Sequence, residues 1–332
     1  MVTHRPGRRD TPSCLHLIVD REGVYTELFD RILQVGGKEL VLMKDVIQRE
    51  SRYHGRTVLH DVCSKAEEDE GPWLEVVDKL ILVGGLELIM ARDGNNERGF
   101  TALHQAIFSS QFGIIHRLLS IGGIDIISKA DARNFPTFFC VLMQACRLGE
   151  ESKSWLEVID KMVTIGGIEQ LLKTHWNGYS TFHWTCLQVF GAGEANMKVL
   201  EKLLSIGGSE LIEMTNHHGN TVLHAMCLDR IKFSTEVFDL INSAIEGKLV
   251  FMTNNNGATA LQAACCQDDV DLETIDRLLE AGREELVLMT DNMGHTALHN
   301  VLFNHVNPSQ KLIDRLIEIG GEKLMEVMHT FN

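Results

Sequence analysis

Six histidines stand at one position of a repeated phrase, and imidazole can bind a metal ion or transfer a proton near neutral pH. The phrase reads Gly-x-Thr-x-Leu-His in its best copies, and the histidines are His16, His60, His104, His183, His224 and His299. Successive copies, two weaker ones included, begin 36 to 44 residues apart. Side chains spread so regularly along a chain cannot converge on one metal ion. We therefore expect a structural role for them.

A looser histidine group consists of His217 and His218, with His175 one repeat earlier. Two or three imidazoles can bind zinc when thiolates or carboxylates complete the ligand set. No thiolate or carboxylate stands at a ligand spacing from this group. We predict no metal site, and nothing else in the sequence indicates a cofactor.

The eight cysteines resemble a disulfide set only until they are placed in the repeat. Cys63, Cys186, Cys227 and Cys265 each follow their repeat's first glycine by eight residues. Equivalent positions of packed helices lie roughly 8–10 Å apart, whereas a disulfide needs Cα atoms within about 7 Å. We expect buried, reduced thiols, which are typical of the cytoplasm or nucleus.

Motifs of catalysis are missing from the sequence. It contains no Gly-x-Ser-x-Gly, no glycine-rich phosphate loop and no His-Glu-x-x-His, the patterns that supply nucleophiles, phosphate cradles and zinc. We predict that the chain is not an enzyme. An enzyme with a site between repeats is the less favoured alternative.

The repeated phrase predicts the start of a helix. Threonine or serine is a preferred N-cap, the preceding glycine permits a left-handed turn, and apolar residues follow at helical spacing. A second phrase, such as Asp78-Lys-Leu-Ile-Leu-Val-Gly-Gly85, predicts a longer helix that ends at a left-handed glycine cap. Each unit is therefore expected to be a short helix, a connector, a longer helix and a loop.

These residues resemble the ankyrin repeat, whose signature is Thr-Pro-Leu-His-x-Ala. The best copy is Gly99-Phe-Thr-Ala-Leu-His-Gln-Ala106, which has alanine in place of the signature proline, and the units are longer than usual. The resemblance implies an all-α solenoid of helix–turn–helix units. It also implies that the histidine braces the turn. We expect a tail over residues 1–10 and one solenoid over 11–332, with repeats starting near 11, 55, 99, 135, 178, 219, 257 and 294.

The formal net charge of −15 at pH 7 argues against nucleic acid, which requires clustered lysine and arginine. Acidic stretches such as residues 67–70 are expected to be a solvated edge, or else a rim that steers a basic protein partner. No apolar run reaches the roughly 18 residues that span a bilayer. The apolar stretch near the N-terminus is too short for a secretory signal.

Aromatic and arginine side chains near the repeat glycines are the candidate contacts with a partner, because these residue types anchor many protein interfaces. The resemblance places such positions on the loop tips and on the concave face formed by the first helices. The candidates are Tyr53, Arg56, Arg98, Phe100, Arg133, Phe135, Trp176, Tyr179, Trp184, His218 and His295.

The function that the sequence favours is a non-catalytic scaffold that binds a protein partner on its concave face and loop tips. The alternative is a regulatory or targeting region of a larger multidomain protein. The apolar residues near the C-terminus, Leu324 to Phe331, favour that alternative, because a solenoid normally ends in a polar cap. We expect a monomer, and the same apolar end is the place where self-association would occur.

Overall fold

The computed structural model describes most of the chain. The described residues are 13–19, 26–45, 55–65, 71–94, 99–129, 131, 135–147, 152–175, 177–188, 194–228, 235–267, 271–304, 306 and 308–329. The statements below concern these residues. The predicted tail over residues 1–10 lies outside them, and the assignment of 11–332 to one solenoid stays a prediction.

The fold is all-α, and the described residues form a series of helix pairs. Each pair joins a short inner helix to an outer helix, which is the longer of the two. The pairs are α1 (Cys14–Val19) and α2 (Thr26–Leu42), α3 (Val58–Ser64) and α4 (Gly71–Ile89), α5 (Ala102–Phe108) and α6 (Phe112–Ser128), α7 (Thr137–Arg147) and α8 (Ser152–Gly166), α9 (Thr181–Gln188) and α10 (Glu194–Ile212), α11 (Val222–Leu228) and α12 (Thr235–Ala244), α13 (Ala260–Ala264) and α14 (Leu272–Leu288), and α15 (Ala297–Asn304) and α16 (Gln310–His329).

Two compact units divide the chain. The first comprises residues 1–147 and 153–170, and the second comprises 148–152 and 171–332. Within the first unit α1, α3, α5 and α7 pack in succession, and within the second α9, α11, α13 and α15 do the same. Each inner helix buries the apolar residues of its phrase, for example Leu103 and Ala106 in α5.

The predicted helix starts are confirmed. Thr57, Thr101 and Thr259 are the N-caps of α3, α5 and α13, each in an extended conformation directly before the helix. The four cysteines at the equivalent repeat position are buried thiols. Cys63, Cys186 and Cys227 lie within inner helices and Cys265 directly follows α13, and all four take the place of small apolar residues.

The prediction that the Gly-Gly pair ends the outer helix holds for α8, which ends at Gly166, but it is wrong for α2, α4, α6, α10 and α16. In α4 the first glycine, Gly84, is helical, and a Cβ there would lie 2.6 Å from the Cβ of Leu88. Gly85 has φ 63° and ψ −157°, which differs from the left-handed cap in ψ and is a region that only glycine occupies readily. The pair therefore kinks the chain, and a further helical turn continues to Ile89.

Short hairpins connect one pair of helices to the next. Isolated antiparallel bridges join Lys44 to Thr57, Arg92 to Thr101, Thr174 to Ser180 and Thr253 to Thr259. In the second unit an Asx side chain closes the turn: Asn216 Oδ1 accepts the backbone N–H groups of His218 and Asn220 at 2.8 and 3.1 Å. The hairpin tip is thus held by the residue that begins it.

Candidate functional site

Four candidate contact residues, Tyr53, Arg98, Arg133 and Trp176, lie outside the described residues. The structure therefore bears on the other seven. Of these, Arg56, Phe100 and Phe135 belong to the first unit, and Tyr179, Trp184, His218 and His295 belong to the second.

Arg56 is buried, in contrast to the exposure expected of a loop tip. Its side chain is 3% exposed. Its Nη1 lies 3.3 Å from Asp61 Oδ1, and its Nη2 donates a hydrogen bond of 2.8 Å to the carbonyl of His60. A carboxylate in the first turn of α3 draws the guanidinium inward, so Arg56 is not exposed for contact with a partner. Asp61, five residues after Arg56, is the sequence signal for this burial.

Phe100 is also buried, at 9% exposure. Its ring packs on His104 and Phe108, with centroids 5.6 and 5.1 Å away. Phe100 stands two residues before α5, and His104 and Phe108 follow within the helix at intervals of four residues, so the three rings stack on one side. Phe135 is half-buried against Phe139 in the same manner, at 5.0 Å. These rings serve packing in the first unit.

The repeat histidines connect neighbouring repeats. His60 Nδ1 accepts the backbone N–H of Thr57 at 3.2 Å, and His60 Nε2 donates to the carbonyl of Phe100 in the next repeat at 3.0 Å. His224 makes the same two contacts, with the backbone N–H of Thr221 and the carbonyl of Ala258. In His183, Nδ1 pairs with the Ser180 hydroxyl and Nε2 donates to the carbonyl of Asn220. Since a carbonyl only accepts, the proton is on Nε2, and the neutral imidazole bridges two repeats.

Burial keeps these imidazoles neutral. It lowers the pKa of His60 and His104 to about 3 and that of His183 to about 4. The pKa values of His224 and His299 are lowered by the same cause. His60, His183 and His224 are hydrogen-bonded through both ring nitrogens, so they have no free nitrogen with which to act as an acid, a base or a ligand.

Gln262 takes the histidine position in the seventh repeat and reproduces both contacts. Its Oε1 accepts the backbone N–H of Thr259 at 2.7 Å, and its Nε2 donates to the carbonyl of His295 at 2.6 Å. An amide with one acceptor and one donor can therefore substitute for the neutral imidazole. The position requires hydrogen-bond geometry and not titration.

The second unit presents the remaining candidate residues at the surface. His218 is exposed, and Tyr179, Trp184 and His295 are half-buried. Tyr179 packs edge-on against His183 at 5.5 Å, and His295 packs against Phe303 at 5.3 Å. These side chains lie on the hairpin tips and on the first turn of α9, and we call this surface the hairpin face of the second unit.

Backbone hydrogen bonds link successive hairpin tips on this face. His217 N–H donates to the carbonyl of Asn177, Asn255 N–H to that of His218 and Asn292 N–H to that of Asn256, over 3.4, 3.0 and 2.9 Å. Gly219, with φ 74°, allows this approach, because a Cβ there would lie 2.6 Å from the backbone nitrogen of Asn255. The tips are thereby fixed relative to one another before any partner binds.

A groove of about 560 Å³ opens among the repeats that contain α11, α13 and α15. Its lining is rich in side-chain amides, namely Asn220, Asn254, Asn255, Asn256, Asn300 and Gln262. Leu228, Ala258, Ala263 and Cys266 supply small or apolar surface, and His218 and Asp291 are also part of the wall. We call this cavity the amide groove.

The amide groove has a negative character. Its lining contains the carboxylate of Asp291 and neither lysine nor arginine. Burial, followed by the charge of Asp291, raises the pKa of the Cys266 thiol. The groove therefore disfavours a second negative charge, and the thiol inside it is not activated as a nucleophile.

Several residues of this surface escaped the sequence analysis. Asn254, Asn255 and Asn300 carry no charge and no aromatic ring, so nothing marked them as contact residues. Phe303, which is 67% exposed, follows His295 by eight residues and shares its side of α15. The run Asn254-Asn255-Asn256 directly before a repeat glycine was the available signal.

Two further features bear on the class of protein. Among the residues described, no helix has the length and apolar content needed to cross a membrane. Over the same residues, no group of three or more histidine, cysteine, aspartate or glutamate side chains is arranged to hold a metal ion.

Comparison with known proteins identifies the fold. No family model and no curated protein matches the chain by sequence. Among solved structures it is similar to the ankyrin repeat domain of Bcl-3, a member of the IkappaB protein family, with 17% identity and a TM-score of 0.54 over 80% of this chain and 99% of that one.

Two further solved structures match at lower TM-scores. One is an ankyrin repeat domain from Acinetobacter baumannii AYE, with 21% identity over 66% of this chain and 97% of that one and a TM-score of 0.47. The other contains a predatory endopeptidase from Bdellovibrio bacteriovorus in complex with an immunity protein, with 17% identity over 64% and 96% and a TM-score of 0.45. The likeness to the Bcl-3 domain shows the fold, which is the one that the sequence predicts.

Proposed function

We propose that this chain, which has the ankyrin-repeat fold, is a non-catalytic scaffold that binds a protein partner on the hairpin face of its second unit. The observation that carries the proposal is the row of linked hairpin tips. It presents Tyr179, His218 and His295 from different repeats on a backbone that is already ordered. A surface fixed in advance loses little conformational entropy on binding, which favours affinity.

The chemistry of the described side chains supports a non-catalytic role. His60, His183 and His224 are neutral and are engaged in bridging hydrogen bonds. Burial raises the pKa of Cys63 and Cys265 and brings that of Cys227 to about 12, so these thiols are poor nucleophiles. We infer that the partner is basic, because the chain carries a net charge of −15 and complementary charge speeds association.

An affinity purification with a paired variant tests this function. In the variant, Tyr179→Ala and Trp184→Ala remove the two large aromatic side chains that the hairpin face presents near α9. Aromatic anchors of an interface each contribute about 2 kcal/mol or more, so the partner recovered with the wild-type chain should be lost. The measurement is quantitative mass spectrometry of cross-linked, co-purified proteins, with circular dichroism to verify folding.

Leu82→Ala is the matched control, because Leu82 is a large exposed residue on an outer helix, α4, of the first unit. It should leave the co-purified proteins unchanged. If the wild-type chain, the Leu82→Ala variant and the double variant recover the same proteins, the hairpin face of the second unit is not the binding surface and the proposal fails.

A further inference from the structure

The amide groove carries a more specific inference, which rests on the proposed function. We propose that it binds an extended peptide segment of the partner and that an arginine or lysine of that segment points towards Asp291. The arguments are the uncommitted amide atoms in the wall, the small residues beneath them and the charge at one end.

Two nearly buried amides have a free hydrogen-bonding atom in the groove. Asn220 is 7% exposed and Asn300 is 8% exposed. Asn220 Oδ1 accepts from Asn254 Nδ2 at 2.9 Å, which leaves Asn220 Nδ2, and Asn300 Nδ2 donates to the carbonyl of Gln262 at 3.2 Å, which leaves Asn300 Oδ1. Among the described residues neither remaining atom has a protein partner.

A donor and an acceptor left over in one wall match the chemistry of a peptide backbone, which offers one N–H and one C=O per residue. Neither atom is fully buried, so both are accessible from the groove to a ligand that supplies the complementary groups. An extended peptide presents these groups along its edge, whereas a helix has already paired them internally.

The depth of the groove comes from two small residues. Ala258 and Ala263 occupy the repeat positions that hold Tyr179 and Trp184 two repeats earlier. Where the earlier repeat fills this space with aromatic rings, the later one leaves it open. Aromatic side chains at these two positions close the space, and alanine side chains at the same positions open it.

Asp291 determines which peptide side chain fits. Its Oδ1 accepts the backbone N–H groups of Met293 and His295, both at 2.9 Å, and its Oδ2 lies 3.7 Å from His295 Nδ1. Oδ2 therefore retains the capacity to pair with a cation. Since no lysine or arginine lines the groove, the peptide has to supply it.

The test uses a random dodecapeptide library displayed on phage and selected on the immobilised full-length chain. Binding of the enriched peptides, synthesised with a fluorescent label, is then measured by anisotropy. We expect a shared arginine or lysine among them. Asp291→Asn should weaken binding about tenfold or more, because it removes the charge that the peptide cation meets.

The chain offers matched controls for each variant. Asn254 occupies the position of Asp291 one repeat earlier and braces its turn through the same two contacts, so Asp291→Asn keeps the hairpin. Asp239→Asn removes an equal charge from an exposed position on α12 and should change nothing. Ala258→Tyr places a tyrosine where the fold already accepts Tyr179, and it should abolish binding. Ala258→Ser should not.

The results separate the two proposals. Peptides enriched without a shared cation, binding that Asp291→Asn leaves unchanged, or a library that yields no peptide sensitive to Ala258→Tyr would each overturn the peptide proposal. If the partner is lost with the Tyr179/Trp184 variant while the groove variants retain it, the scaffold function stands and another element of the partner is recognised. If neither set of variants affects the partner, both proposals fail.

Discussion

At the scale of single residues, Arg283 is the clearest conflict between sequence and backbone. It has φ 51° and ψ −148°, the conformation that glycine holds at the kink of the other outer helices, at Gly37, Gly85, Gly123, Gly208 and Gly321. A side chain with a Cβ pays about 1–3 kcal/mol to occupy such a region. The surrounding helix therefore imposes the kink on a residue unsuited to it.

Arg283→Gly is accordingly expected to stabilise the chain. Relief of backbone strain outweighs the extra unfolded-state freedom of glycine, which costs about 0.5–1 kcal/mol, so the free energy of unfolding should rise by about 1 kcal/mol. Urea denaturation followed by circular dichroism measures it. Gly321→Arg imposes the same conflict at φ 54° and should lower stability. Unchanged stability in both variants would show that the kink carries no strain.

At the scale of the element, a hydrogen-bonded side chain at the start of several inner helices ties the helix to the next repeat. His183 joins α9 to the hairpin before α11, and Gln262 joins α13 to the hairpin before α15. Both satisfy the cap of their own helix and a carbonyl of the neighbour. The consequence is that α9 and α13, which are too short to be stable alone, are stabilised by the repeat that follows each of them.

His183→Gln tests the capping role separately from titration. Because Gln262 makes both contacts with an amide, the variant should lie within about 1 kcal/mol of the wild type at pH 7, the scale of one hydrogen bond. At pH 5 the wild type should have lost about 2 kcal/mol through this histidine, and the variant should not. Equal pH dependence of the two proteins in urea denaturation would contradict the assignment.

At the scale of the whole molecule, buried neutral histidines occur in both units. Their pKa values are lowered by burial from 6.5 to about 3 for His60 and His104 and to about 4 for His183. Below pH 6.5 these histidines bind protons in the unfolded chain but remain unprotonated in the folded chain. The stability that these residues confer is therefore complete above about pH 6.5 and is lost as the pH falls towards 4 and 3.

As the pH is lowered, the chain should accordingly begin to lose stability at pH values well above those at which carboxylates titrate. Each of these three histidines contributes a loss of about 2 kcal/mol between pH 6.5 and pH 5, and a typical domain has only about 5–15 kcal/mol to lose. Thermal unfolding measured from pH 7.5 to pH 4.5 checks this expectation. A melting temperature that stays constant down to pH 5 would show that the imidazoles are not held neutral by the fold.

The sequence allowed the helices to be predicted because the signals are local. Threonine N-caps and apolar spacing lie within a few residues of the helix they start. The kink at Gly85 was mistaken for a helix end because both require a glycine with positive φ. The burial of Arg56 depends on its pairing with Asp61, and the amide groove joins residues from three repeats. The contacts that form the groove link different repeats and leave no periodic signal in the sequence.

In the second unit, the residue after the repeat glycine performs two separate tasks. At Asn220 the carbonyl accepts hydrogen bonds from Asn216 N–H and from His183 Nε2, while the side chain faces the groove. The carbonyls of Ala258 and His295 each accept the equivalent pair of hydrogen bonds, one from a backbone N–H and one from a side chain of the preceding repeat. Because these hydrogen bonds involve only the carbonyl of this residue, its side chain can differ between duplicated repeats without disturbing the fold. The surface of the second unit can therefore acquire a new specificity one repeat at a time without a new fold.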